Sequence, residues 1–162
     1  MCYIEGSANT SSNSVQFYYD YSSYDSDTGE VHQPGFISWL LEYQDGDGNT
    51  QTQKEPLQFI PSWGSNVAPG LFQPTEEYTY IYFNDTEDAP KTLYINGGYD
   101  DSHFNATPPN PAPMLPDLEN WHLCYQYTGG YYYRSIAWVF TLPPQNPSCE
   151  PVDLTIEFVE SK

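Results

Sequence analysis

The sequence predicts an all-β fold, an antiparallel, jelly-roll-like β-sandwich of about eight strands with little or no helix. Three observations carry that expectation. Short runs rich in aromatic and β-branched residues recur along the chain, with turn signals between them. No segment of globular-helix length combines a helical period with caps at both ends. And the stretch from Trp121 to Val159 holds a hairpin whose register follows from its turn.

The totals fit one domain over residues 1–162. Hydrophobic content is 38%, yet aromatics reach 17% through sixteen Tyr, eight Phe and four Trp. Tyr buries a ring and keeps a polar tip, so a Tyr-rich chain builds a core while reading as hydrophilic. Four basic residues (Lys54, Lys91, Arg134, Lys162) face 22 acidic ones, for a net charge of −18. That charge repels phosphate, which excludes nucleic acid and anionic membranes as partners. No apolar run approaches the roughly 18 residues of a membrane span.

Taken in order, Val15 to Tyr21 is the first expected strand, followed by an acidic, Ser-rich loop from Ser22 to Gln33. Pro34-Gly35 punctuates. Phe36 to Tyr43 reads as a strand with Ile37, Trp39, Leu41 and Tyr43 on one face. Asp45-Gly46-Asp47-Gly48-Asn49 begins like a calcium loop. Thr50 and Pro56 stand where that loop requires Gly and Glu, so the stretch reads as a hairpin turn, with no metal site. Leu57 to Ile60 is a short strand ended by Pro61. A long loop follows, carrying Trp63, Val67, Leu71 and Phe72.

Tyr78 to Phe83 is a strong strand of β-formers. Asp85 to Pro90 turns, Leu93 to Asn96 pairs back onto it, and Gly97-Gly98 ends the pairing. Residues 99–117 form a proline-rich crossing that no central strand accommodates. Asp153 to Val159 alternates as a last strand, with Leu154, Ile156 and Phe158 inward.

Gly129-Gly130 suits the two-residue primed turn of a hairpin. It sets Trp121 opposite Trp138, Leu123 opposite Ile136, Tyr125 opposite Arg134 and Tyr127 opposite Tyr132, all on one face. The other face receives His122, Cys124, Gln126, Ser135 and Ala137 and is smaller and more polar. Cys124 and Cys149 lie on or beside ordered strands about 25 residues apart. A disulfide there stabilises by roughly 3 kcal/mol on the chain-entropy model. Cys2 is left over, as a free thiol or with a partner upstream.

The run from Trp121 to Val139, then PQNPSCEPVDL and a strand ending Phe158-Val159, resembles the C-terminal half of an uncharacterised family of small secreted fungal proteins. A weaker likeness extends through GFISWLL, SWGSNVAPGLF and LYINGGYDD. The resemblance implies secretion and a Cys124–Cys149 pair, and no established activity. Members begin with a signal peptide and a further strand, so it also implies an upstream segment missing before Met1.

Three sequons, at Asn9, Asn84 and Asn105, fall in expected loops and are candidate glycosylation sites. His32, His103 and His122 are too scattered for a zinc motif, and no cofactor motif is present. Acidic pairs (Asp100-Asp101, Glu76-Glu77, Asp117 with Glu119) offer carboxylates for a polysaccharide hydrolase, but no nucleophile signature accompanies them. Trp63, Tyr131 and Tyr133 are the candidate ligand-binding aromatics. The expectation is therefore a non-catalytic protein, secreted to the extracellular space or cell wall and binding cell-wall carbohydrate or an extracellular protein. The alternatives are a polysaccharide-acting hydrolase and a structural protein that self-assembles through Tyr-rich strands such as Tyr78 to Phe83.

Overall fold

The computed structural model describes residues 17–21, 34–84, 91–107 and 109–156. Among them are ten strands and no helix: β1 (Phe17–Tyr21), β2 (Gly35–Gln44), β3 (Thr50–Phe59), β4 (Val67–Phe72), β5 (Tyr82–Phe83), β6 (Lys91–Tyr94), β7 (Trp121–Thr128), β8 (Tyr131–Val139), β9 (Glu150–Pro151) and β10 (Thr155–Ile156). Seven form one sheet in the order β1-β2-β3-β4-β8-β7-β9, and three form a second in the order β10-β6-β5. Every strand pair is antiparallel. The fold is all-β, as the short aromatic runs and turn signals predict.

The core lies between the sheets. Leu57, Phe72, Trp121, Ile136 and Trp138 come from the large sheet and meet Ile81, Phe83 and Leu93 from the small one and its approach. The indoles of Trp121 and Trp138 meet edge to face, with centroids 4.8 Å apart. The Trp121 Nε1–H donates to Leu93 O at 2.6 Å, so the buried indole proton is satisfied across the two sheets. A second cluster occupies the other face of the large sheet: Val67, Cys124, Ala137 and Val139, with Cys149 against it. The large sheet is thus covered on both faces where β4, β8 and β7 run together.

The β7–β8 hairpin has the derived register, from Trp121 opposite Trp138 to Tyr127 opposite Tyr132. Gly129 and Gly130 both have positive φ, 60° and 91°, as the primed turn requires. The Asp45–Asn49 turn is equally as expected. Asp45 Oδ1 accepts from the backbone N–H of Asp47 at 3.0 Å and of Asn49 at 2.9 Å, and Oδ2 accepts from Gln51 Nε2 at 2.8 Å. These bonds, Gln51's first, lower the carboxyl's pKa.

Five expectations are corrected. The strand expected over Leu57–Ile60 is β3, which starts at Thr50 and stops at Phe59. Its first half, Thr50 to Lys54, is exposed and polar and is a strand because it pairs with β2. The loop expected to carry Val67, Leu71 and Phe72 contains β4, central in the large sheet, with all three residues buried. Pro69 is tolerated there because its carbonyl accepts from Ile60 N–H at 3.3 Å, so its missing donor falls just past the end of β3.

The strong strand expected over Tyr78–Phe83 shrinks to β5. Upstream of it, Thr79 N–H donates to Leu57 O at 3.1 Å and Ile81 N–H to Gly35 O at 2.8 Å, so the segment crosses from one sheet to the other. Gly35 therefore begins β2 where punctuation was read, and a Cβ there would lie 2.4 Å from the Tyr19 ring. The proline-rich stretch 99–117 is no crossing. Tyr99 pairs with Met114 and Ile95 with Leu118, so the excursion returns to where it left.

The last strand is limited, among the described residues, to β10, which pairs with β6, while Leu154 and Ile156 pack on the core. Phe158, Val15, Cys2, His32, Lys162, the Ser22–Gln33 loop and the Asp85–Pro90 turn lie outside the described residues.

Candidate functional site

Two surfaces stand out, both built on β7 and β8. The first is the hairpin's outer end. β8 pairs with β4 only through Val139, Trp138 and Ala137, and β7 pairs with β9 only at His122 and Leu123. From Cys124 and Ser135 outward the hairpin has no strand neighbour on either side among the described residues. An isolated two-stranded ribbon is marginal in water. Here it is braced from the side by the segment that joins β8 to β9. The Cys124–Cys149 disulfide ties that segment to β7. Asn146 Nδ2 donates to Tyr125 O at 2.8 Å, and Tyr125 N–H donates to Ser148 Oγ at 3.0 Å. Arg134 Nη2 donates to Glu150 Oε2 at 2.7 Å. That pair is exposed and contributes at most about 1 kcal/mol.

The arm displays tyrosines on both sides. Tyr125 (59% exposed), Tyr127 (65%) and Tyr132 (78%) lie on the face that carries Trp121 and Trp138 at the base, and Tyr131 (68%) lies on the other. The rings of Tyr127 and Tyr132 are 5.0 Å apart and tilted, and those of Tyr131 and Tyr133 are 6.3 Å apart. All of these side chains combine an apolar ring face with a hydroxyl that donates and accepts hydrogen bonds.

The structure separates the three expected ligand-binding aromatics. Tyr131 and Tyr133 are in the arm. Trp63 is fully exposed on the turn between β3 and β4, where Ser65 N–H donates to Ser62 O at 3.1 Å and Gly64 adopts φ 89°. That turn adjoins the Val139 end of β8, so the length of β8, on the order of 25 Å, lies between Trp63 and Tyr131. A single small ligand does not span them.

The second surface is a cleft of about 540 Å³, at the opposite end of β7 from the arm's tip. It lies between the segment after β8 (Leu142, Pro143, Pro144, Cys149) and the residues around the start of β7 (Glu119, Asn120, His122), with Pro151 beside them. The first wall is fastened by Asn66. Its Nδ2 donates to Pro143 O at 2.9 Å and its N–H to Gln145 Oε1 at 2.8 Å, while its Oδ1 accepts from Gln145 N–H at 2.7 Å. Sequence reasoning placed His122 on the smaller, more polar face of the hairpin, where it is. It missed the cleft and the Asn66 clamp, because the lining comes from segments whose proximity only the fold creates. An Asn ahead of an unrecognised strand was the one local signal.

The remaining candidates are dispersed. Asn105 is exposed, with its Oδ1 accepting from Thr107 N–H at 2.7 Å. Asn84 is half-buried, and its Oδ1 accepts from Thr92 N–H at 2.7 Å at the end of the β5–β6 pair. Asn9 lies outside the described residues. Asp100 closes a turn onto Ser102, whose hydrogen bonds lower its pKa. Glu55, on β3 opposite Trp39, is buried at 2% exposure, and its Oε2 has no hydrogen-bond partner. Burial raises its pKa.

Lys54 pairs with Asp20, Lys91 lies 5.2 Å over the Phe83 ring, and Arg134 pairs with Glu150. The described basic groups are thus all engaged within the fold. No group of three or more His, Cys, Asp or Glu able to hold a metal ion occurs among the described residues. No helix long and apolar enough to cross a membrane occurs there either. Comparison with protein-family models, curated proteins and solved structures finds no match for this chain.

Proposed function

We propose that this chain is a secreted, non-catalytic binding domain that attaches to neutral cell-wall or extracellular polysaccharide through its tyrosine arm. The observation that carries the reading is the arm itself: Tyr125, Tyr127, Tyr131 and Tyr132 are each more than half exposed on a braced ribbon. Rings that serve only the core have no reason to extend past it. A sugar presents a C–H face that stacks on an aromatic ring and hydroxyls that meet the tyrosine O–H.

The net charge of −18 turns away uronic and sulfated glycans and leaves neutral or cationic ones. The disulfide supports an oxidising compartment, and the likeness to small secreted fungal proteins supports a fungal cell wall as the setting. Of the two sequon asparagines among the described residues, Asn105, exposed on a turn, is more open to a glycosyltransferase than the half-buried Asn84.

The test is sedimentation with insoluble β-glucan and chitin, and with a soluble uronan as the anionic control. Wild-type protein should co-sediment with a neutral or cationic glycan, and the Tyr127→Ala/Tyr132→Ala variant should stay in solution with its thermal midpoint unchanged. Binding that survives this double substitution, or no binding to any neutral or cationic glycan, overturns the proposal.

A further inference from the structure

The cleft at the base of β7 is lined by a buried histidine. His122 is 5% exposed, and its Nδ1 lies 3.2 Å from Asn120 O. A carbonyl oxygen only accepts, so in the neutral imidazole Nδ1 carries the proton and Nε2 carries the lone pair. Among the described residues, the only fully buried side-chain polar atom without a partner is Glu55 Oε2. Among the described residues His122 Nε2 has no partner either, and it is not one of the fully buried atoms, while its residue lines the cleft. Asn120 O also accepts from Val139 N–H at 3.1 Å, which fixes the carbonyl that orients the ring.

The cleft, about 540 Å³, is open to solvent on its outer side. The walls are Leu142 and the rings of Pro143, Pro144 and Pro151, with the half-cystine Cys149. The wall after β8 is held at two points, by Asn66 at Pro143 and by the disulfide that ties Cys149 to β7. An apolar body therefore fits the walls, and one hydrogen-bond donor fits the floor. The C–H faces of the puckered pyrrolidine rings pack against aromatic rings, and a phenolic hydroxyl is a stronger donor than an aliphatic one. The exposed carboxylate of Glu119 on the rim, within a chain of charge −18, disfavours anions.

We propose that this cleft is a binding site for a small neutral or cationic phenol, whose hydroxyl donates to His122 Nε2 while its ring packs between Leu142 and the prolines. The site is distinct from the tyrosine arm and does not depend on polysaccharide binding.

The experiment is titration of the intact protein with p-cresol, tyramine, 4-hydroxybenzoate and toluene, followed by calorimetry and by the imidazole nitrogen resonances of His122. p-Cresol and tyramine should bind saturably, at least about tenfold tighter than toluene, which matches them in shape but lacks the donor, and than the anionic hydroxybenzoate. The Nε2 resonance of His122 should move with p-cresol saturation while Nδ1 moves little. His122→Phe, which keeps a ring but removes the acceptor, should abolish the preference for p-cresol over toluene. Should that variant fail to fold, the wild-type Nε2 resonance decides alone. Failure of p-cresol to saturate at about 10 mM, equal affinity for toluene, or an unmoved Nε2 resonance overturns the assignment.

Discussion

The two ends of the β7–β8 hairpin share strands, register and an aromatic composition, yet they have opposite fates. At the base, Trp121 and Trp138 are buried on one face, and His122, Cys124, Ala137 and Val139 are buried on the other. At the tip, Tyr125, Tyr127 and Tyr132 on the first face and Tyr131 on the second stand in solvent. Both ends show the same alternation. What differs is neighbours: the base has β4 and β9 beside it and a second layer on each face, while among the described residues the tip has the brace at Tyr125 and Arg134. Alternation assigns residues to faces, and burial is assigned by what the rest of the chain places over each face. The side-chain chemistry fits each end, because a buried indole N–H has a partner at Leu93 O, while an exposed phenol needs none.

The sharpest way to break this comparison is to truncate one ring at each end. Trp138→Ala should lower stability by about 3–5 kcal/mol, read from urea denaturation, because it opens a cavity between the two sheets. A loss below about 1 kcal/mol would mean that the core is not closed at the base. Next in size is the brace. Cys124→Ala/Cys149→Ala should cost about 3 kcal/mol and speed amide exchange at Tyr125 and Cys149 before it affects Trp138. Uniform exchange across the hairpin would show that the loop does not hold the arm.

A third variant carries the contrast to a buried group on β3. Glu55→Gln should raise stability at neutral pH by on the order of 1 kcal/mol, since the ionised carboxylate has an unpaired buried oxygen. Its folded-state pKa is raised above the ordinary 4.5 by burial. The wild type therefore has this group's full contribution below the ordinary value and loses it as pH rises through the folded value. The advantage of the variant should accordingly shrink as the solution is acidified. An advantage that stays constant with pH would remove ionisation as its cause. The smallest effect belongs to the tip, where Tyr132→Ala should change stability by no more than about 0.5 kcal/mol in the same assay.

How far the sequence could be read depended on whether a signal was local. Gly129-Gly130 determined the hairpin register, because two consecutive positive-φ residues leave one turn family and the strand period does the rest. The Asp45–Asn49 turn was legible for the same reason: Asp45 bonds its own neighbours. β4 was illegible because Pro69 and Gly70 read as loop residues, and only β3 and β8 on either side reveal the strand. Tyr78 to Ile81 misled in the other direction, having strong β formers whose backbone partners are divided between Leu57 and Gly35.

The sequence by itself thus determined the class of fold, the two tight turns, the hairpin register and the acidic surface, all of which rest on contacts between near neighbours or on summed charge. Only the tertiary structure decided which aromatics are core and which are arm, that Trp63 and Tyr131 lie at opposite ends of β8, and that His122 and Pro143 line one cleft. Those features join segments remote in sequence, and no periodicity within either segment encodes which partner it will meet.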